Sequence, residues 1–171
     1  EELITPKTKA IMPVHIYGHP VDMDRVMQVA KKHNLFVIED ATEALGSTFN
    51  GKMTGTIGDI GCFSFNGNKI ITTGAGGMLV TNNSEHGARA KFLSTQTKVV
   101  TENKAFYHSE IGYNFRMPNL LAAFGVAQLE NINEYLKIKR QNAMYYNELL
   151  SGIKGITLPI EKENVENCFW L

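Results

Sequence analysis

Lys69 stands alone between an apolar run and a glycine-rich turn, in Phe63-Ser64-Phe65-Asn66-Gly67-Asn68-Lys69-Ile70-Ile71-Thr72-Thr73-Gly74-Ala75-Gly76-Gly77. A free lysine amine, with a pKa of ~10.4, is neutral in only about 1 molecule in 2,500 at pH 7. To act as nucleophile or base it needs help. An imine with a cofactor aldehyde lowers the pKa of its nitrogen, and once released the amine can carry a proton between two carbons. Lysine's compact amine on a flexible stem suits this work and arginine's guanidinium does not. Asp40 closes a second apolar run, Leu35-Phe36-Val37-Ile38-Glu39-Asp40. A carboxylate at a strand's C-terminal end lies where open α/β sheets bind ligands. Facing a pyridine nitrogen, it would hold that nitrogen protonated and make the ring a better electron sink. An amine and an acid so presented suit pyridoxal 5'-phosphate (PLP).

Each residue has a plainer reading. A lone lysine in a turn is ordinarily a solvated side chain. Asp40-Ala41-Thr42-Glu43 also has the D-x-x-E spacing of a capping box for a short helix. Ser64 and the backbone around 72–77 could donate to a phosphate. No Gly-Lys-Ser/Thr marks a Walker loop, and Gly55, Gly58 and Gly61 lack the dinucleotide-binding spacing. Asn114 and Arg116 precede a helix and read as ordinary loop caps. His15 follows a strand and could approach the site. His33 and His86 read as surface residues, and His108 sits in an aromatic loop. Cys62 and Cys168 show no metal-ligand spacing, and Cys62 reads as a small core residue.

The elements that must position these groups follow from periodicity. Residues 10–15 and 35–38 are apolar throughout, as strands of a covered parallel sheet are. Between them Asp22 can cap a helix whose Met23, Val26, Met27 and Ala30 share one face. That helix should stop near His33-Asn34. Asn50-Gly51 signals a hairpin, and strands are expected at 60–65 and 77–81. Ser84 can cap a helix over 85–94, and 96–115 reads as a long loop. Pro118 suits a first helical turn, with a helix continuing to about Leu150. Residues 118–129 read as its buried part. Leu129, Ile132 and Leu136 hold one face, and Lys137, Lys139 and Arg140 read as a solvated one. Ser151-Gly152 ends the helix, and 156–158 could start another strand. The fold class is α/β, a mostly parallel sheet covered by helices on both faces.

The 171 residues suffice for one sizeable core. Seventeen basic residues balance seventeen acidic ones, against a dedicated nucleic-acid binder. No apolar run approaches the ~18 residues of a membrane span. Two cysteines without a framework fit a reducing, cytoplasmic setting.

Four phrases make the chain recognisable: PVHIYGHPVDMD at 13–24, IEDATEALGS at 38–47, GDIGCFSFNGNKIITTGAGGMLVT at 58–81 and EIGYNFRMPNLLAAFGVAQL at 110–129. Together they resemble the DegT/DnrJ/StrS family of sugar-nucleotide aminotransferases, PLP enzymes of the type I, aspartate-aminotransferase fold. The resemblance implies that Lys69 is the Schiff-base lysine and Asp40 the partner of the pyridine nitrogen. It places Glu43 where the family often has glutamine beside the ring hydroxyl, and Ser64 as a phosphate ligand. Asn114 matches a residue that reaches the neighbouring subunit's cofactor phosphate, so a homodimer with a shared site is expected. Ala75 replaces an acid usual in the family's turn, and Thr42 a usual alanine.

The implied reaction moves an amino group from glutamate to a 4-keto-6-deoxy sugar nucleotide, for surface polysaccharide or lipopolysaccharide. Enzymes acting on UDP-linked N-acetyl sugars look nearest in sequence, with GDP-linked perosamine enzymes as close relatives. Two alternatives remain: a sugar dehydratase on the same scaffold, which carries histidine in place of the lysine, and a non-catalytic regulator. Against this family, residues 1–152 correspond to the core of the large PLP-binding domain and 153–171 to the start of the small one. The family's N-terminal phosphate turn lies outside the chain, so the isolated segment is expected to bind PLP poorly.

Overall fold

The computed structural model describes residues 1–100 and 106–171. Strand β1 (Ala10–Ile11) leads through a bend into helix α1 (Met23–His33), followed by β2 (Phe36–Asp40). The hairpin β3 (Thr48–Phe49) and β4 (Lys52–Met53) comes next, then β5 (Ile60–Ser64), β6 (Gly77–Val80) and helix α2 (Ser84–Ser94). A short pair, β7 (Lys98–Val99) and β8 (Tyr107–His108), precedes helices α3 (Asn119–Leu129) and α4 (Ile132–Leu150), and β9 (Val165–Glu166) ends the series. The main sheet has the order β1-β2-β5-β6. Its first three strands are parallel, and β6 runs antiparallel to β5. A smaller sheet has the order β4-β3-β9.

Local signals explain much of this. Asp22 accepts from Arg25 N at 3.2 Å and caps α1. Asn34, in the left-handed region at φ 52°, returns its N–H to the last turn. Met23, Ala30 and Val37 then form the core, with Val26, Met27 and Leu35 against them. Full burial of side chains such as Met23 or Val37 contributes ~1.5–3 kcal/mol each. Asn50 and Gly51 both have positive φ, as the tight turn of β3–β4 requires.

Several expectations are corrected. The strand at 10–15 is only two residues long plus one bridge, Val14 to Asp40, because Pro13 has no N–H for the ladder. Asn83, not Ser84, caps α2, accepting from Glu85 N and His86 N. The loop at 96–115 contains the β7–β8 pair, and 101–105 within it lie outside the described residues. The helix expected from Pro118 to Leu150 is two helices, interrupted at Glu130–Asn131. Its first part is not buried: Leu120 is 71% and Phe124 59% exposed. Residues 156–158 form no strand, and the last strand comes at 165–166. The D-x-x-E spacing at 40–43 opens turns rather than a helix. Lys139 and Arg140 are not simply solvated: Lys139 Nζ donates to Trp170 O at 2.8 Å, and Arg140 pairs with both oxygens of Glu161. No helix among the described residues is long and apolar enough to cross a membrane.

Candidate functional site

Two parallel strands carry the first two groups. Asp40 ends β2 and registers with Cys62 on β5, and Ser64 ends β5 two residues further on. Paired residues and those two apart share a face, so Asp40, Cys62 and Ser64 point to one side of the sheet. Cys62 is half-buried beside Asp40 rather than in the core, and burial and the charge of Asp40 push its thiol up. Asp40 Oδ1 accepts from Thr42 N at 3.2 Å, and among the described residues no donor reaches Oδ2.

The opposite face of β2 is anchored. Glu39 is fully buried and accepts from Gly55 N, Ile57 N and Gly58 N at 2.6–2.8 Å. Its Oε2 also meets His15 Nε2 at 3.0 Å. The His15 Nδ1 accepts from Val21 N, so in the neutral ring Nε2 bears the proton and donates. Burial alone would raise Glu39's carboxyl. His15 and the three backbone donors outweigh it and hold the group below the usual carboxylate range. His15 is therefore fully buried behind β2 rather than approaching the open face. Its backbone N–H also donates to Asp40 O, while Asp40 N donates to Pro13 O. Strand, loop and histidine together fix where Asp40 emerges.

Lys69 sits in the loop between β5 and β6. Phe65 closes that loop: its N–H reaches Gly76 O, and its carbonyl accepts from Thr73 N. Asn66 N donates to Ser64 Oγ at 3.3 Å, and Lys69 N returns to Asn66 O. The loop is tied from outside at two points. Gln128 of α3 accepts from Thr72 N at 2.8 Å. Trp170 donates from Nε1 to Asn68 O at 2.7 Å. The Lys69 ammonium nitrogen lies 4.0 Å from the centre of the Trp170 ring. That ring stacks with Tyr17 at 6.1 Å, and Tyr17 N donates to Glu43 Oε2 at 2.8 Å. Lys69 and Glu43 thus both meet the Tyr17–Trp170 pair, the lysine at the Trp170 ring and the glutamate at the Tyr17 backbone.

Asn114 is not joined to these groups. Its backbone bridges Thr95 at the end of α2, its side chain is exposed, and no hydrogen bond joins it to Asp40, Ser64 or Lys69. Trp170, Gln128 and Glu39 are not marked by the sequence as parts of this region, and the pairing of His15 with Glu39 corrects the expectation that His15 could approach the site. Trp170 carries one signal, as the chain's single tryptophan.

The family model of the DegT/DnrJ/EryC1/StrS aminotransferase family matches residues 1–171. The chain belongs to this aminotransferase family. It is 45% identical over 172 residues to GDP-perosamine synthase of Caulobacter vibrioides, covering 100% of the chain and 46% of that protein. It is 46% identical over 171 residues to GDP-perosamine synthase of Escherichia coli O157:H7, with the same coverage. Among solved structures, the aminotransferase TlmJ from Streptoalloteichus hindustanus superimposes with a TM-score of 0.92 at 28% identity, over 99% of this chain and 46% of that one. The family member described here therefore spans about half the length of the relatives it matches. The α/β architecture expected from the sequence is that of solved family structures.

Proposed function

We propose that the protein to which this chain belongs is a PLP-dependent transaminase that moves an amino group from glutamate to a 4-keto-6-deoxy sugar nucleotide. The observation that supports the reading is the order of three groups on the fold: the Asp40 carboxylate and the Ser64 hydroxyl at the ends of adjacent strands β2 and β5, and the Lys69 amine in the loop that follows β5. These are the groups a phosphorylated pyridine aldehyde needs, and the second oxygen of Asp40 is unengaged by protein among the described residues. PLP, when bound, supplies an aldehyde that carries the amino group and a ring that withdraws electrons.

The chain's own groups would do the rest. Asp40 would hold the proton of the ring nitrogen. Ser64, with N–H groups of the following turn, would bind the phosphate. Lys69 would tether the cofactor, and its freed amine would take and return protons at the substrate carbon that bears nitrogen. Glu43, already held by Tyr17 N, would face the ring hydroxyl. Asn114, exposed and without a hydrogen bond to the other four, would contribute to a second subunit's site, as a homodimer would require. In this reading residues 1–152 are the core of the cofactor domain and 153–171 lead into a smaller one.

The two perosamine synthases named above make a GDP-linked sugar the first nucleotide to test, beside UDP-linked keto sugars. The test uses the full-length protein with PLP. Adding glutamate should shift the cofactor's absorbance, and one of the keto sugars should reverse the shift. A protein that binds PLP but does not respond to glutamate would overturn the reading.

A further inference from the structure

Trp170 touches the Lys69 loop in two ways. Its indole N–H holds Asn68 O at 2.7 Å, and its ring face lies 4.0 Å from Lys69 Nζ. The ring is fixed. It is 6% exposed, it stacks with Tyr17 at an interplanar angle of 24°, and its own carbonyl accepts from Lys139 Nζ. Two residues earlier, Cys168 N donates to Ser47 Oγ at 2.9 Å, so the segment carrying Trp170 is stapled to the turn after β2. An ammonium within about 6 Å of an indole centre is attracted by the ring's negative face, more strongly where water is excluded.

We propose that Trp170 is a positioning residue for Lys69: its ring face is the resting place of the lysine amine when that amine is not covalently engaged. This rests on the reading of Lys69 as the cofactor-bearing lysine. The physical need is clear. A lysine stem has four rotatable bonds, and an amine released from a covalent bond disperses over many rotamers unless something holds it. A neutral, rigid aromatic face holds the charged form without an anion that would lock it there. The indole N–H meanwhile keeps the backbone before Lys69 in register.

The test compares full-length wild type, Trp170→Phe and Trp170→Leu. In the cofactor-free proteins, reductive methylation by formaldehyde, with cyanoborohydride as the hydride donor, is followed at neutral pH for Lys69 by peptide mass spectrometry. Loss of the ring in Trp170→Leu should raise the Lys69 rate about 3–10-fold with other lysines unchanged. Trp170→Phe keeps an aromatic face and loses the N–H, so its rate should fall well short of the leucine variant's. With PLP bound, Trp170→Leu should lower kcat by about tenfold and leave the KM for glutamate unchanged. Wild-type labelling in Trp170→Leu overturns the proposal. So does equal labelling in the phenylalanine and leucine variants, which would assign the effect to the N–H alone. Should Trp170→Leu not fold, the fluorescence of Trp170, taken as the difference from Trp170→Phe, decides between wild type and Lys69→Met. Unchanged emission on loss of the amine overturns the proposal. Absence of a Lys69-dependent PLP absorbance in wild type would defeat the transaminase reading alone, because the labelling arm needs no cofactor.

Discussion

In the proposed reading Lys69 and Asp40 serve the cofactor while Glu39, buried on the opposite face of β2, serves the fold, and single substitutions should separate the two kinds of role. Lys69→Ala in the full-length protein should abolish the lysine-dependent PLP absorbance. It should also lower turnover by about 10²–10⁴-fold, the usual worth of a positioned acid–base group. Absorbance spectra and steady-state assays check both. Asp40→Asn should leave the thermal midpoint close to wild type yet slow turnover by ~100-fold, since a carboxylate partner is worth ~1–3 pKa units to the group it faces. Glu39 should show the reverse balance. It is buried, takes four hydrogen bonds and has a depressed carboxyl. A group whose native pKa lies below its unfolded value stabilises the fold above the unfolded value, ~4.3 for glutamate, and loses that contribution as pH falls through the native one. Glu39→Gln should therefore cost about 1–3 kcal/mol at pH 7, since one buried carboxylate oxygen gives way to an amide that cannot accept, and flatten the acid limb of the stability profile. Urea titrations at neutral and acid pH measure it.

Elements test the local rules. The α2 cap belongs to Asn83, so Asn83→Ala should cost about 1 kcal/mol and Ser84→Ala much less. Chemical denaturation of the two variants distinguishes them. The helix α1 was legible because cap, apolar face and left-handed stop are all written within a few residues: Asp22, Met23 to Ala30, Asn34. The break at Glu130–Asn131 was not, because no Pro or Gly marks it and apolar spacing continues across it. Residues 165–166 escaped for a different reason. A two-residue strand has no period of its own, and β9 exists only because β3 is there to pair with it. The exposure of α3 likewise contradicts its composition. An apolar sequence states a preference for burial, and meeting that preference takes a surface to cover it.

At the scale of the whole molecule, a shared site makes a sharp prediction. Mixing Lys69→Ala with Asn114→Ala subunits, each inactive alone, should restore about a quarter of the wild-type sites if Asn114 serves the neighbour's site, since half the dimers are mixed and each regains one site. Activity that stays at the level of the separate variants would return Asn114 to an ordinary loop role. The 171-residue segment alone should bind PLP weakly beside the full-length protein, which spectroscopic titration would measure.

The places of Asp40 and Ser64 at strand ends and of Lys69 in the glycine-rich loop could be read along the chain. Their signals are local: an apolar strand, the polar residue at its end, and glycines where the backbone must turn. The parallel core could be read for the same reason, from periodicity alone. The support around those groups could not. Trp170 meets Asn68 across 102 positions, Gln128 meets Thr72 across 56, and His15 meets Glu39 across 24. No spacing rule links such partners. A hydrogen bond or a ring face acts over a few ångströms of space, and folding alone brings those atoms within range.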